Sequence, residues 1–255
     1  MNAKKSTVFI AFSSQKGGVG KSTFTSLVAS LMHYRMGYNV VVFDADFPQY
    51  SLIKMKERDL ISVMKNETMK KLAYRQFMAI NKKAYEIIKE KADSVVEAAE
   101  KYVNDSPIPI DVVFFDLPGT VNSPGILNAI ARMHHLFTPI TADRVVMEST
   151  LVFTQLLQNV IVKSGDTSIK TINLFWNRVD GRESTPLYDV YNSLISQLDL
   201  SLMQSKIKNS NRFRKESEAN SKTVFRSTLL APDERLMKMY GLDLFMSEFL
   251  QIIKL

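Results

Sequence analysis

The chain has 255 residues, of which 45% are hydrophobic and 23% charged, and its formal net charge is +7. This composition is ordinary for a globular protein, and the length suffices for one large α/β domain with a substantial core. The absence of cysteine excludes disulfides, thiolate zinc sites and iron–sulfur clusters.

The first residues, Met-Asn-Ala-Lys-Lys-Ser, lead directly into a strand pattern at residues 7–12, so we predict no signal peptide. No uninterrupted apolar run approaches the ~20 residues of a membrane span. We therefore expect a cytoplasmic protein that does not span a membrane. The positive charge favours an acidic partner, nucleic acid first, although a protein that is merely basic would carry the same charge.

A glycine-rich loop at residues 15–23 lies between the buried strand pattern of residues 7–12 and a helix pattern at residues 24–36. In this context glycines let backbone N–H groups approach phosphate oxygens, and the helix dipole favours the same anion. We expect Lys21 to reach the β- and γ-phosphates and the Ser22 hydroxyl to bind Mg²⁺. The predicted nucleotide-binding residues of the loop are Lys16, Gly17, Gly18, Val19, Gly20, Lys21, Ser22 and Thr23.

Two further strand patterns end in aspartate. Residues 40–43 lead into Asp44 and Asp46, and residues 111–115 lead into Asp116. Carboxylates at the carboxyl ends of strands line the crevice where open α/β sheets bind ligands, and Asp116 there can orient Mg²⁺ through water. The Asp44–Asp46 pair alone could instead cap the next helix. Gly119 follows Asp116 and would let a backbone N–H approach a γ-phosphate.

Helical patterns dominate residues 51–105, which contain no glycine and many lysines and arginines. We interpret this segment as a helical insertion whose basic residues form solvated faces or, alternatively, a surface for DNA or a partner protein. We see no repeat and no linker composition, so we predict one domain over residues 1–255. The remaining predicted elements are strands at residues 136–140, 170–176 and 201–207, and helices at residues 147–157 and 242–255.

The loop has Gln15 where the strict phosphate-loop pattern has glycine, and its Lys-Gly-Gly-Val-Gly-Lys-Ser sequence resembles the deviant Walker A loop of the ParA/MinD family of ATPases. Residues 44–49 resemble that family's Asp-x-Asp-Pro-Gln motif, with Phe47 inserted before the proline. Asp116 follows a Walker B pattern, and Asn177-Arg178 resembles the family's adenine-recognition position. An asparagine at a strand end is also an ordinary turn residue.

The resemblance implies a doubly wound, mostly parallel sheet of about seven strands and an ATP-dependent homodimer that sandwiches two nucleotides and hydrolyses them slowly. It implies that Lys16 reaches the partner's nucleotide, that Asp46 holds or activates the attacking water and that Asn177 pairs with the base. The implied catalytic residues are Lys16, Lys21 and Asp46, and the implied Mg²⁺ site uses Ser22, Asp46 and Asp116.

The resemblance is nearest to short ParA-type proteins, which bind DNA non-specifically and partition or position it, usually with a ParB-like stimulating partner. A nucleoid-associated location would follow. Residues 206–226 carry seven cations against two glutamates at the late position where such proteins contact DNA. The candidate DNA-binding residues are Lys208, Arg212, Arg214, Lys215, Lys222 and Arg226.

Three alternatives to DNA partitioning remain open at this point. A membrane-positioning ATPase of the MinD type is disfavoured because the helix pattern at residues 242–255 has acidic residues on its polar face. A biosynthetic ligase similar to dethiobiotin synthetase would need a small-substrate pocket. The last alternative is a regulatory scaffold that binds ATP and barely turns it over.

Overall fold

The computed structural model describes residues 6–119, 124–163, 165–181, 185–213 and 223–255. The strands are Val8–Phe12 (β1), Val40–Asp44 (β2), Glu86–Lys89 (β3), Val112–Asp116 (β4), His135–Ile140 (β5), Thr171–Val179 (β6) and Ser201–Lys208 (β7). The α-helices are Lys21–Tyr34 (α1), Ser51–Lys65 (α2), Glu67–Ile80 (α3), Val95–Asp105 (α4), Pro124–Ala131 (α5), Arg144–Leu156 (α6), Thr185–Gln197 (α7), Glu234–Tyr240 (α8) and Leu242–Ile253 (α9). A π-helical turn, Leu157–Val162, extends α6, and a 3₁₀ turn, Asn211–Phe213, follows β7.

The strands form one sheet in the order β3-β2-β4-β1-β5-β6-β7, and every neighbouring pair is parallel. This confirms the predicted doubly wound α/β fold. The central strand β1 is buried along its whole length, as its continuous apolar sequence requires when helices cover both faces. Because all strands run in one direction, the segments that follow β1, β2, β4 and β6 meet at the same edge of the sheet.

Helices cover both faces of the sheet. Apolar side chains of α1, α2 and α9 pack on one face, and those of α4, α5 and α6 pack on the other. The predicted C-terminal packing helix is confirmed, because Phe245 and Phe249 of α9 are fully buried. The Phe249 ring lies 4.6 Å from the ring of Phe137 in β5, measured between centroids. This packing anchors the end of the chain beneath the centre of the sheet.

The segment predicted as a helical insertion is not entirely helical. It supplies α2, α3 and α4, but it also contains the edge strand β3, which pairs with β2. In β3 Ile87 is buried, whereas the first and last residues of the strand, Glu86 and Lys89, are exposed. Four residues with one face toward solvent give too short an alternating pattern to stand out between two longer helical patterns. None of the helices formed by the described residues is long and apolar enough to cross a membrane.

Candidate functional site

The loop between β1 and α1 has the backbone shape that its glycines predict. Gly18 and Gly20 have φ angles of 74° and 114°, which side-chain-bearing residues rarely adopt. Gly20 precedes the first residue of α1, and no side chain caps the amide groups of this helix end. These N–H groups and the positive end of the helix dipole therefore form a site suited to an anion.

Lys21 lies at the centre of this site. Its side chain is only 9% exposed, and its Nζ donates a hydrogen bond to the Lys16 carbonyl at 3.3 Å. Burial lowers the pKa of Lys21, whereas the nearby carboxylates of Asp116 and Asp46 raise it. A Cβ atom added to Gly119 would lie 2.8 Å from the Lys21 Nζ. A side chain at position 119 would therefore displace the Lys21 ammonium, and the approach of the Gly119 backbone N–H to a γ-phosphate stays a prediction.

A buried carboxylate and two hydroxyls lie beside the lysine. The Ser51 Oγ is 3.1 Å from the Ser22 Oγ and 3.4 Å from the Asp116 Oδ2. Burial raises the pKa of Asp116 to about 7, and the hydrogen bond from Ser22 lowers it. The Asp116 Oδ1 is buried and has no hydrogen-bond partner among the described residues. An orphaned carboxylate oxygen next to a serine hydroxyl fits a hard divalent cation, which would also favour the ionised carboxylate.

No group of three or more acidic or histidine side chains in the described ranges could hold a metal ion by itself. Mg²⁺ does not require such a group, because it is usually held by one or two protein ligands together with phosphate and water oxygens.

The two aspartates at the end of β2, Asp44 within the strand and Asp46 after it, have separate positions. The Asp44 Oδ2 accepts hydrogen bonds from the backbone N–H groups of Leu52 and Ile53 at 2.9 and 3.0 Å, so Asp44 caps α2. Asp46 is half-buried and lines the cavity instead. Burial raises the pKa of Asp46 and the Lys21 ammonium lowers it. The capping role that the sequence left open thus belongs to Asp44, and the inserted Phe47, 66% exposed, leaves Asp46 in the site.

The cavity in front of the loop has a volume of about 820 Å³. It brings together most of the residues that the sequence predicted for nucleotide binding, catalysis and metal binding. These are Gly17, Gly18, Gly20, Lys21, Ser22, Thr23, Asp46, Gly119 and Asn177. Lys16 lies between Gln15 and Gly17, which line the cavity, and is half-exposed.

The side chains of Asn177 and Arg178, both in β6, donate hydrogen bonds to the glycine loop. The Asn177 Nδ2 donates to the Val19 carbonyl at 2.7 Å, and the Arg178 guanidinium donates to the Gly18 carbonyl. Both residues also line the cavity. Asn177 therefore lies where a ligand in the cavity could contact it, and its pairing with a base stays a prediction.

The candidate DNA-binding residues that the structure describes differ in their exposure. Lys208 ends β7 and Arg212 lies in the 3₁₀ turn that follows, and both side chains are exposed. Arg226 instead lines the cavity, with its Nη1 atom 3.4 Å from the Thr23 Oγ1. Three of the predicted residues lie outside the described ranges, namely Arg214, Lys215 and Lys222.

The sequence interpretation missed Ser51 and Arg58, which reach the cavity from α2. Ser51 begins that helix directly after the Asp46 segment, and this position was the available signal. No pattern within α2 distinguishes Arg58 from the other basic residues around it.

A glycine loop between the central parallel strand and its helix, facing carboxylates at the ends of two neighbouring strands, defines a phosphate-loop nucleotide-binding protein. The model of the CobQ/CobB/MinD/ParA nucleotide binding domain family matches residues 10–224, and the chain belongs to this family. A search of curated proteins gave no match.

Solved structures with the same fold share little sequence with this chain. A putative plasmid partition protein from Borrelia burgdorferi bound to AMPPNP has a TM-score of 0.57 at 17% identity and covers 85% of this chain and 93% of its own. The MinD cell division protein of Aquifex aeolicus has a TM-score of 0.53 at 17% identity, covering 82% and 84%. Cobyrinic acid a,c-diamide synthase from Mycobacterium smegmatis, with bound ADP and magnesium, has a TM-score of 0.53 at 17% identity, covering 81% and 88%.

Proposed function

We propose that this protein is an ATPase that dimerises around ATP and Mg²⁺, binds DNA without sequence preference in that state, and partitions or positions DNA. The observation that carries the proposal is the cavity at the glycine loop, which Lys21 and Asp46 line and beside which Asp116 is buried close enough to raise the pKa of Lys21. A cation near two strand-end carboxylates is suited to a triphosphate and its metal ion. Slow hydrolysis and stimulation by a ParB-like partner belong to the same proposal.

The residues of the cavity divide between holding and hydrolysing the nucleotide. Loop amides and Lys21 would hold the phosphates, and Ser22, Asp116 and Asp46 would hold Mg²⁺ directly or through water. Bound Mg²⁺ would neutralise charge on the phosphate oxygens. Asp46, half-buried at the cavity wall, would position the attacking water.

Asp46→Ala should preserve ATP binding and stop turnover, because the loop and Lys21 remain while the water-positioning carboxylate is lost. Dimers with uncleaved ATP should therefore accumulate. Phosphate release and nucleotide affinity, measured side by side, check this. Asp105→Ala, which removes an exposed carboxylate at the end of α4, is the matched control. Phosphate release at the wild-type rate in Asp46→Ala would show that Asp46 is structural.

Lys16 is proposed to act across the dimer on the partner's nucleotide. Its backbone contributes to the loop, since its carbonyl accepts the Lys21 hydrogen bond, while its side chain is half-exposed. A half-exposed cation beside an anion-binding cavity is available to a second protomer.

Lys16→Ala should leave ATP binding by the monomer intact and impair both dimerisation and hydrolysis. Sizing chromatography with a non-hydrolysable ATP analogue, together with a phosphate-release assay, measures both effects. Lys101→Ala, which changes an exposed lysine on α4, should behave as wild type. The cross-dimer role is refuted if Lys16→Ala dimerises and hydrolyses normally.

DNA binding is supported by the net charge of +7 and by the exposed cations Lys208 and Arg212 at the carboxyl edge of the sheet. A membrane-positioning role has less support. The apolar side chains of α9, namely Phe245, Phe249 and Ile253, are buried in the protein and so are not available to a membrane surface. A mobility-shift experiment with plasmid DNA, with ATP and without nucleotide, tests the proposal. A shift that requires ATP supports it, and no shift in either condition contradicts it.

A further inference from the structure

Arg226 lies in a segment that is held firmly against α1 and α2. The Ser30 hydroxyl donates to the Ser227 carbonyl at 2.6 Å, and the Tyr34 hydroxyl donates to the Thr228 carbonyl at 2.8 Å. Asp59 accepts hydrogen bonds from both the backbone N–H and the hydroxyl of Thr228, at 2.6 and 2.8 Å. These contacts are buried. They fix the backbone immediately after Arg226 and therefore hold this residue in place beside α1.

The Arg226 side chain extends from this fixed backbone to the cavity. Its neighbours Phe225 and Ser227 are buried in the protein, whereas Arg226 is half-buried and lines the cavity. Its Nη1 atom lies 3.4 Å from the hydroxyl of Thr23, in the first turn of α1. The guanidinium is thus placed beside the helix N-terminus whose amides face the anion site.

The two ends of the cavity carry different chemistry. Asp46 and Gly119 line the cavity near Lys21, with Asp116 buried beside it, and they mark the end for the terminal phosphate and metal. Arg226 lies by Thr23, and its neighbour Phe225 packs on Phe213, with ring centroids 4.9 Å apart.

Phe213 and Asn177 both line the cavity. An aromatic ring and an amide suit a base rather than a phosphate. Arg226 is therefore on the side of the cavity where the phosphate nearest the sugar would lie.

We propose that Arg226 binds the phosphate of the nucleotide nearest the sugar and is a nucleotide ligand, not a DNA contact. The proposal rests on the nucleotide-binding function of the cavity. A guanidinium is always charged and presents a planar fork of donors that matches phosphate oxygens. Because this phosphate is common to ATP and ADP, the contact should contribute equally to the affinity for both.

The test is the affinity of Arg226→Gln for Mg-ATP and for Mg-ADP, measured by titration calorimetry. Loss of a charge-assisted phosphate contact should weaken both affinities by about 10-fold or more. Arg235→Gln, which changes an exposed arginine on α8, is the matched control and should bind as wild type. Arg226→Lys keeps the charge without the planar fork and should be weakened less than Arg226→Gln.

Several results would overturn the proposal. Wild-type affinity of Arg226→Gln for both nucleotides contradicts it, and loss of DNA binding alone would restore the DNA role. Weakened binding of ATP with unchanged ADP binding would place Arg226 at the terminal phosphate instead. If the melting temperature of Arg226→Gln without nucleotide is well below that of wild type, the affinities of Arg226→Lys decide the question instead. Unchanged affinity of Arg226→Lys for both nucleotides would refute the contact between the guanidinium and the phosphate. Wild-type protein that binds neither nucleotide refutes the proposed function itself, which is a distinct result.

Discussion

Replacing Lys21 by alanine is expected to abolish tight binding of Mg-ATP. The Lys21 ammonium is nearly buried among Asp46, Asp116 and the loop, where the low dielectric makes its charge effective. Without it, a triphosphate would enter a cavity that keeps the Asp46 carboxylate in its wall and the Asp116 carboxylate nearby and has lost the cation beside them. Removing one partner from a buried set of charges typically costs about 3–5 kcal/mol, so the affinity should fall at least about 100-fold.

Calorimetric titration of Lys21→Ala with Mg-ATP measures this loss, and a thermal melt without nucleotide shows whether the variant is folded. Lys101→Ala removes one positive charge from an exposed position on α4 and controls for the change in net charge. If the folded Lys21→Ala variant binds ATP as tightly as wild type, the cavity is not the nucleotide site.

The central part of the site was predictable because it depends on local sequence. A buried strand, a glycine loop and a helix follow one another without interruption, and parallel strands bring their carboxyl ends to one edge. The sequence alone therefore places Lys21, Asp46 and Asp116 near one another. The division of work between Asp44 and Asp46 was not predictable, because both are strand-end carboxylates and only the position of α2 distinguishes them.

Contacts between distant segments account for most of what the sequence did not show. Ser51 looks like an ordinary polar residue of a helix start, and the sequence distinguished Arg178 only as the neighbour of Asn177. Their contacts with Ser22 and with the Gly18 carbonyl depend on how α2 and β6 pack around the loop. Arg226 is the sharpest example. It belongs to a basic stretch in the sequence, yet buried hydrogen bonds hold the next two residues, Ser227 and Thr228, against α1, and Arg226 itself lines the cavity.

The DNA surface is consequently expected nearer to β7 than to the end of the basic stretch. Lys208 and Arg212 are exposed there, at the edge of the sheet that also bears the cavity. Few contacts per protomer give little affinity at physiological salt, and an ATP-bound dimer doubles their number. Roughly four to six phosphate contacts per dimer predict a log–log salt slope of about −0.9 per contact, and a loss of about two to three decades in affinity between about 50 and 200 mM salt.

Changing Arg212 and Arg214 together to glutamate should abolish this DNA binding and leave ATP-dependent dimerisation intact. The substitution replaces phosphate-binding cations with repelling carboxylates, and exposed Arg212 lies outside the nucleotide cavity. Fluorescence anisotropy with DNA duplexes of unrelated sequence, across a salt series, measures affinity, slope and the expected insensitivity to sequence. The control is a double variant in which Lys101 and Lys163, which are exposed elsewhere, are both changed to glutamate. It has the same change in net charge and should bind DNA nearly as wild type.

A double variant of Arg212 and Arg214 that retains the wild-type salt slope would show that the DNA surface lies elsewhere. The exposed cations of α2 and α3, such as Lys54 and Lys71, would then be tested next.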